Sequence, residues 1–181
     1  MATFLIHPQA GILDLPNGLT ITPSLTQDEF LFNPAFSQAK HQTPASGAWS
    51  RHPIPAGTVD GHDLLAILCF HDQRLVNIDL IANLYPPIPK DQHQYSLDIE
   101  AAIKQLHDRL LEQMFGPPTE RLRIFPNPLP PSQSILEWPL RWDFPWGQVF
   151  SSHDFNGGGT SIIIRYSDRT DQPLVNHPAS D

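Results

Sequence analysis

One cysteine, Cys69, stands in the whole chain, so no intrachain disulfide can form and the fold must be held by its core. Charge is sparse at 17% of residues and short of cations: 19 acidic against 11 basic side chains leave a formal charge of -8. That balance disfavours nucleic-acid phosphates and anionic membrane surfaces and favours a basic partner. No apolar run approaches the roughly 20 residues of a membrane span. Met1 to Pro8 has no basic segment ahead of an apolar core and does not read as a secretory signal, so a reducing cytoplasm is the expected compartment. Chemistry is missing too. There is no Gly-x-Ser-x-Gly for a serine elbow, and no lysine at phosphate-loop spacing follows Gly157-Gly158-Gly159, which reads instead as a flexible or bulged connection. The nine histidines, among them His41, His93 and His177, show no paired ligand spacing on one element and read as solvated turn residues. No catalytic residue, metal or cofactor is expected.

What is present describes a globular chain. With 181 residues and 40% hydrophobic content, residues 1–169 suit one domain, and residues 170–181 read as a flexible tail. The 20 prolines, about twice ordinary usage, predict many short elements joined by stiff connections. Pro16-Asn17-Gly18 between Gly11–Leu15 and Leu19–Thr22 predicts a first hairpin. Thr26 and Glu29 form a capping box for a short helix over 27–32, which Asn33-Pro34 ends. The stretch from Pro34 to Gly57 offers one irregular strand near 48–54. Strands at 63–71 and 74–82 then meet through Asp72-Gln73, with Val76, Ile78 and Leu80 inward and Asn77 and Asp79 wet.

Pro86, Pro87 and Pro89 break the chain before its one strong helix, over 97–115. Ser96 caps it, Asp98 and Glu100 suit its positive end, Gly116-Pro117-Pro118 stops it, and Ile99, Ile103, Leu106, Leu110 and Met114 form its apolar stripe, widened by Ala102 and Leu111. A proline-rich piece from Pro117 to Pro131 returns to the last sheet segment. There Trp142–Phe150 reads as one strand and Thr160–Tyr166 as its partner. The fold class follows: α+β, an antiparallel sheet of hairpins with one long helix on one face and a short N-terminal helix.

Cys69, in Leu64–Phe70, reads as a buried core thiol, and Trp146 as packed in the sheet with Gly147 allowing close approach. Trp49, in an otherwise polar loop, reads as an exposed interface anchor. His153, Asp154, Asn156 and Arg165 form a candidate polar contact surface, although Asp154 equally suits a turn-shaping role through backbone hydrogen bonds. His71-Asp72 and His153-Asp154 pair a histidine with a carboxylate, but neighbours on a strand face opposite sides unless they lie in a turn.

The order of these features, from the Gly11–Ile21 hairpin through Leu25–Leu31, Trp49, Leu75–Leu80 and the helix to Trp146–Val149, Asp154 and Ile162–Tyr166, resembles a group of small bacterial proteins. That group is similar to the cytoplasmic immunity proteins that accompany secreted polymorphic or type VI toxins. The resemblance spans about residues 10–167 and departs at the proline-rich insert near 117–131. It implies a non-catalytic protein that neutralises a cognate protein toxin, with Trp49, His153, Asp154, Asn156 and Arg165 as partner-binding residues. Two alternatives stand beside it: an effector adaptor or self-associating structural protein, and a small hydrolase built on His153 and Asp154.

Overall fold

Short elements at the start of the chain follow from its turn chemistry. The structure, a computed structural model, describes residues 4–36, 48–84, 96–123, 129–156 and 159–167. Strands β1 (Leu5–Ile6), β2 (Leu13–Asp14) and β3 (Thr20–Ile21) make a small antiparallel sheet, with Asn17-Gly18 turning between the last two as expected and β1 added to the predicted hairpin. Helix α1 (Gln27–Phe32) has its full capping box: Glu29 N donates to Thr26 Oγ1 at 3.2 Å and Thr26 N to Glu29 Oε2 at 2.8 Å.

The main sheet begins with β4 (Trp49–Val59), β5 (His62–His71) and β6 (Arg74–Asn83). Here the expected irregular strand near 48–54 is corrected. β4 is a continuous edge strand of 11 residues, bulged only between Pro55 and Gly57. Alternate residues of an antiparallel edge strand turn their N–H outward, so Pro53 and Pro55 sit where the ladder needs no donor. Helix α2 (Leu97–Phe115) has the predicted bounds, with Ser96 Oγ accepting from Ile99 N at 3.5 Å and Gly116, at φ 78°, closing it. β7 (Glu120–Arg121), β8 (Leu140–Phe144), β9 (Gly147–Asp154) and β10 (Gly159–Tyr166) complete the sheet. The single strand expected over Trp142–Phe150 is therefore a hairpin, because Pro145-Trp146 turns the chain between β8 and β9.

Seven strands run antiparallel in the order β4-β5-β6-β10-β9-β8-β7. One face carries the whole core: Ile54, Leu68, Ile78, Val149, Ile162 and Ile164 meet Phe4, Ile6, Leu13 and Ile21 from the small sheet, Phe30 from α1, and Leu106 and Leu111 from α2. The fold is the expected α+β single domain. The predicted helix stripe needs rotation, however. Ile99, Leu110 and Met114 are half-buried and Ala102 is exposed, while Glu100, Lys104 and His107 are buried with Ile103 and Leu111. The buried arc lies about one fifth of a turn from the apolar stripe, with polar side chains along its centre line. Among the described residues no helix is long and apolar enough to cross a membrane. The proline break at 86–89, the Gly157-Gly158 pair, His41, His93, His177, residues 124–128 of the proline-rich piece and the 170–181 tail lie outside the described residues.

Candidate functional site

The second face of the main sheet is covered by no described element. Its side chains fall into rows set by the strand register. One row reads Arg51, Cys69, Asn77, Arg165, Gln148 and Asp143 across β4 to β8; the next reads Pro53, Ile67, Asp79, Ile163, Phe150 and Arg141. A polar lane thus lies beside a lane rich in apolar groups. Contacts join the two lanes: Arg51 Nη2 donates to Asp79 Oδ2 at 3.2 Å, Asn77 Nδ2 donates to Asp79 Oδ1 at 2.9 Å, and the Arg165 guanidinium stands 5.4 Å from the Phe150 ring centre. Half-burial pulls the Arg165 pKa down, against the opposing charge of Asp79. Cys69 sits among these groups, buried on this face. Desolvation, with Asp79 adding, pushes its thiol up to about 12, which leaves it no thiolate character at neutral pH.

The residues singled out in the sequence divide between the two faces. Trp49, Arg165 and Asp154 share the open one. Trp49 opens β4 instead of standing in a loop, and it is half-buried, its ring centre 4.6 Å from that of His71. Asp154 Oδ1 accepts from Asn156 N at 2.9 Å, the turn-shaping role weighed for it, and both residues are exposed at the end of β9. His153 faces the other way, beneath α2, and is buried. The pair His153/Asp154 is therefore not assembled. His71 and Asp72 do meet, Nδ1 to Oδ2 at 3.4 Å, because a turn begins there.

Among the described residues both edges of the sheet are poor templates for a further strand. β7 has two residues, and Pro53 and Pro55 remove outward donors from β4.

A buried polar cluster that the sequence reading missed lies between α2 and the sheet. His153 Nδ1 stands 2.9 Å from Thr160 Oγ1, which donates onward to the Glu100 carbonyl at 3.4 Å, so the histidine proton belongs on Nδ1. The Glu100 carboxylate lies 3.6 Å from the same nitrogen. Lys104, with no exposed side-chain surface, donates to Asp108 at 2.6 Å; burial lowers its pKa and Asp108 opposes this. His107 is fully buried, and neither ring nitrogen has a hydrogen-bond partner among the described residues; the Ser151 hydroxyl is likewise unpartnered. The signal was the spacing 100, 104, 107, 111, one line along a helix, but the partners come from strands about fifty residues away.

The Lys104–Asp108 pair makes an asymmetric prediction. Asp108→Asn strands a buried ammonium and should cost about 3 kcal/mol, whereas Lys104→Met removes the charge with its burial problem and should stay within about 1 kcal/mol of wild type. Urea denaturation of the two variants decides it, and equal losses would refute the argument.

A groove of about 630 Å³ lies beside α2, lined by Gln105, Asp108, Glu112, Arg121, Ile135 and Trp138 among others. Its charges are already paired: Arg121 with Glu112 at 3.3 Å, Arg109 with Asp60 at 2.6 Å, and Asp108 with Lys104. Among the described residues no group of three His, Cys, Asp or Glu side chains is placed to hold a metal ion. Comparison with protein-family models, curated proteins and solved structures finds no match.

Proposed function

We propose that this chain is a non-catalytic binding protein that neutralises a cognate secreted bacterial toxin by covering it. The observation that supports the reading is the open sheet face. A surface of aromatic, aliphatic and arginine side chains has the make-up of a protein interface. Here it is held rigid by seven strands and turned away from the core. Pro53 and Pro55 make β4 a poor template for strand addition, so the proposed partner docks on the face. The formal charge of -8 suits a basic toxin, whose approach it would accelerate.

The competing chemistry has less to stand on. His153 is sealed under α2 while Asp154 points to solvent, and the groove beside α2 is lined by ion pairs that satisfy one another.

Co-expression with the products of neighbouring genes, affinity purification and mass spectrometry tests the proposal. The expected result is one stoichiometric partner whose toxicity in cells is abolished by the chain and restored by Ile163→Glu in the middle of the open face. A partnerless protein, or a complex and protection indifferent to Ile163→Glu, would overturn it. A complex that leaves toxicity intact would make the chain an adaptor instead.

A further inference from the structure

We infer that the open face recognises an acidic side chain on its protein partner, with Arg165 as the anchor; the inference rests on that face being the docking surface. Near the middle of the sheet Arg51 is paired with Asp79, whose charge Arg165 feels without contacting it. Asp79 already accepts at both oxygens, from Arg51 at 3.2 Å and Asn77 at 2.9 Å. The Arg165 guanidinium makes no hydrogen bond or ion pair among the described residues. It has the Phe150 ring beneath it and feels the more distant charge of Asp79. A partly desolvated guanidinium keeps five N–H donors in a fixed fork, and the group that matches the fork is a carboxylate, bound through two parallel hydrogen bonds.

Charge on this face is arranged in zones. The centre holds two cations and one anion, while toward the β7–β9 side Glu120, Asp143 and Asp154 outnumber Arg141, which pairs with Glu120 at 2.8 Å and Asp143 at 3.3 Å, and the chain as a whole is acidic. The complementary partner carries Glu or Asp at the centre of its contact patch, apolar groups beside it to meet Ile67 and Ile163, and basic residues around them. Such a partner can be basic overall and still present an acidic anchor. A free small carboxylic acid is disfavoured, because an open sheet face cannot enclose it as a ligand pocket does.

A displayed library of folded miniproteins with a randomised surface patch provides the probe, selected on the full chain and counter-selected on Arg165→Met. The expected binders carry an acidic residue at the patch centre within a basic surround. They lose at least about tenfold in affinity for Arg165→Met, less for Arg165→Lys, which keeps the charge without the fork, and recover when Arg165→Glu meets the binder's acid changed to Arg. Binders without an acidic centre, or none that distinguish the wild type from Arg165→Met, would overturn the inference. The library contains no toxin, so its outcome is separate from the neutralisation test: a toxin complex that ignores Arg165→Met sinks the anchor alone, and Arg165-dependent binders without any toxin sink neutralisation alone.

Discussion

Gly147→Ala should be among the most damaging single-methyl changes in the chain, costing about 3–5 kcal/mol. A Cβ at this position would lie 1.9 Å from the Arg165 carbonyl oxygen and 3.1 Å from Tyr166 Cα, and the backbone there has φ 154°. Both obstacles are backbone atoms of the paired strand β10, since Gly147 registers with Tyr166, so no rotamer change relieves the contact. The strands would have to part at the point where the C-terminal hairpin holds the N-terminal sheet. Trp146 stacks on Phe144 at 5.1 Å between centroids and donates to the Pro8 carbonyl at 2.8 Å, and Tyr166 donates to the Gly11 carbonyl at 3.0 Å. Against a typical total stability of about 5–15 kcal/mol the loss is large. Gly61→Ala is the control: its φ is 82°, but nothing lies within 4 Å of the added methyl, so it pays conformational strain alone, about 1 kcal/mol. Denaturant midpoints of the two variants measure the difference, and similar losses would show that strand separation at Gly147 is easy.

The features legible in the sequence are those whose causes are local. The capping box of Thr26 and Glu29, the Ser96 cap, the Gly116 stop and the Asn17-Gly18 turn each act over a few residues, and each stands where the residues place it. Where the cause is tertiary, the reading slipped. Pro53 and Pro55 look like loop residues until β4 is known to be an edge strand, and Pro145-Trp146 reads as strand until β8 and β9 are seen to pair. The rule that charged groups face water hid Glu100 and Lys104, whose burial is supported by Thr160, His153 and Asp108. The candidate site was legible in part for the same reason. Strand alternation placed His153 and Asp154 on opposite sides, but only the register across β4, β5, β6 and β10 brings Arg51, Asp79 and Arg165 together.

The buried face of α2 makes the fold sensitive to acid, and His107 should dominate the effect. Burial, with the Lys104 charge adding and Glu100 opposing, depresses its pKa from 6.5 to about 3. The native state therefore binds fewer protons than the unfolded chain between those values. The stability tied to this group is fully present above pH 6.5 and drains away as pH falls toward 3. At about 1.4 kcal/mol per unit, the loss near pH 4.5 is about 2–3 kcal/mol. Asp14, whose pKa is held below 3.8 by its hydrogen bond from His7, contributes only at lower pH, so the two effects separate. Ionisable groups buried or half-buried against the inner side of α2 include Glu100, Lys104 and Asp108 on the helix, His153 on β9, and Glu137, which accepts from Leu129 N. His107→Leu keeps the volume roughly constant and removes two buried nitrogens that lack partners. It should match or exceed wild-type stability at pH 7 and flatten the decline between pH 6.5 and 4.5. Urea midpoints at the two pH values for both proteins provide the measurement. A variant that declines as steeply as wild type would refute the assignment of the acid sensitivity to His107.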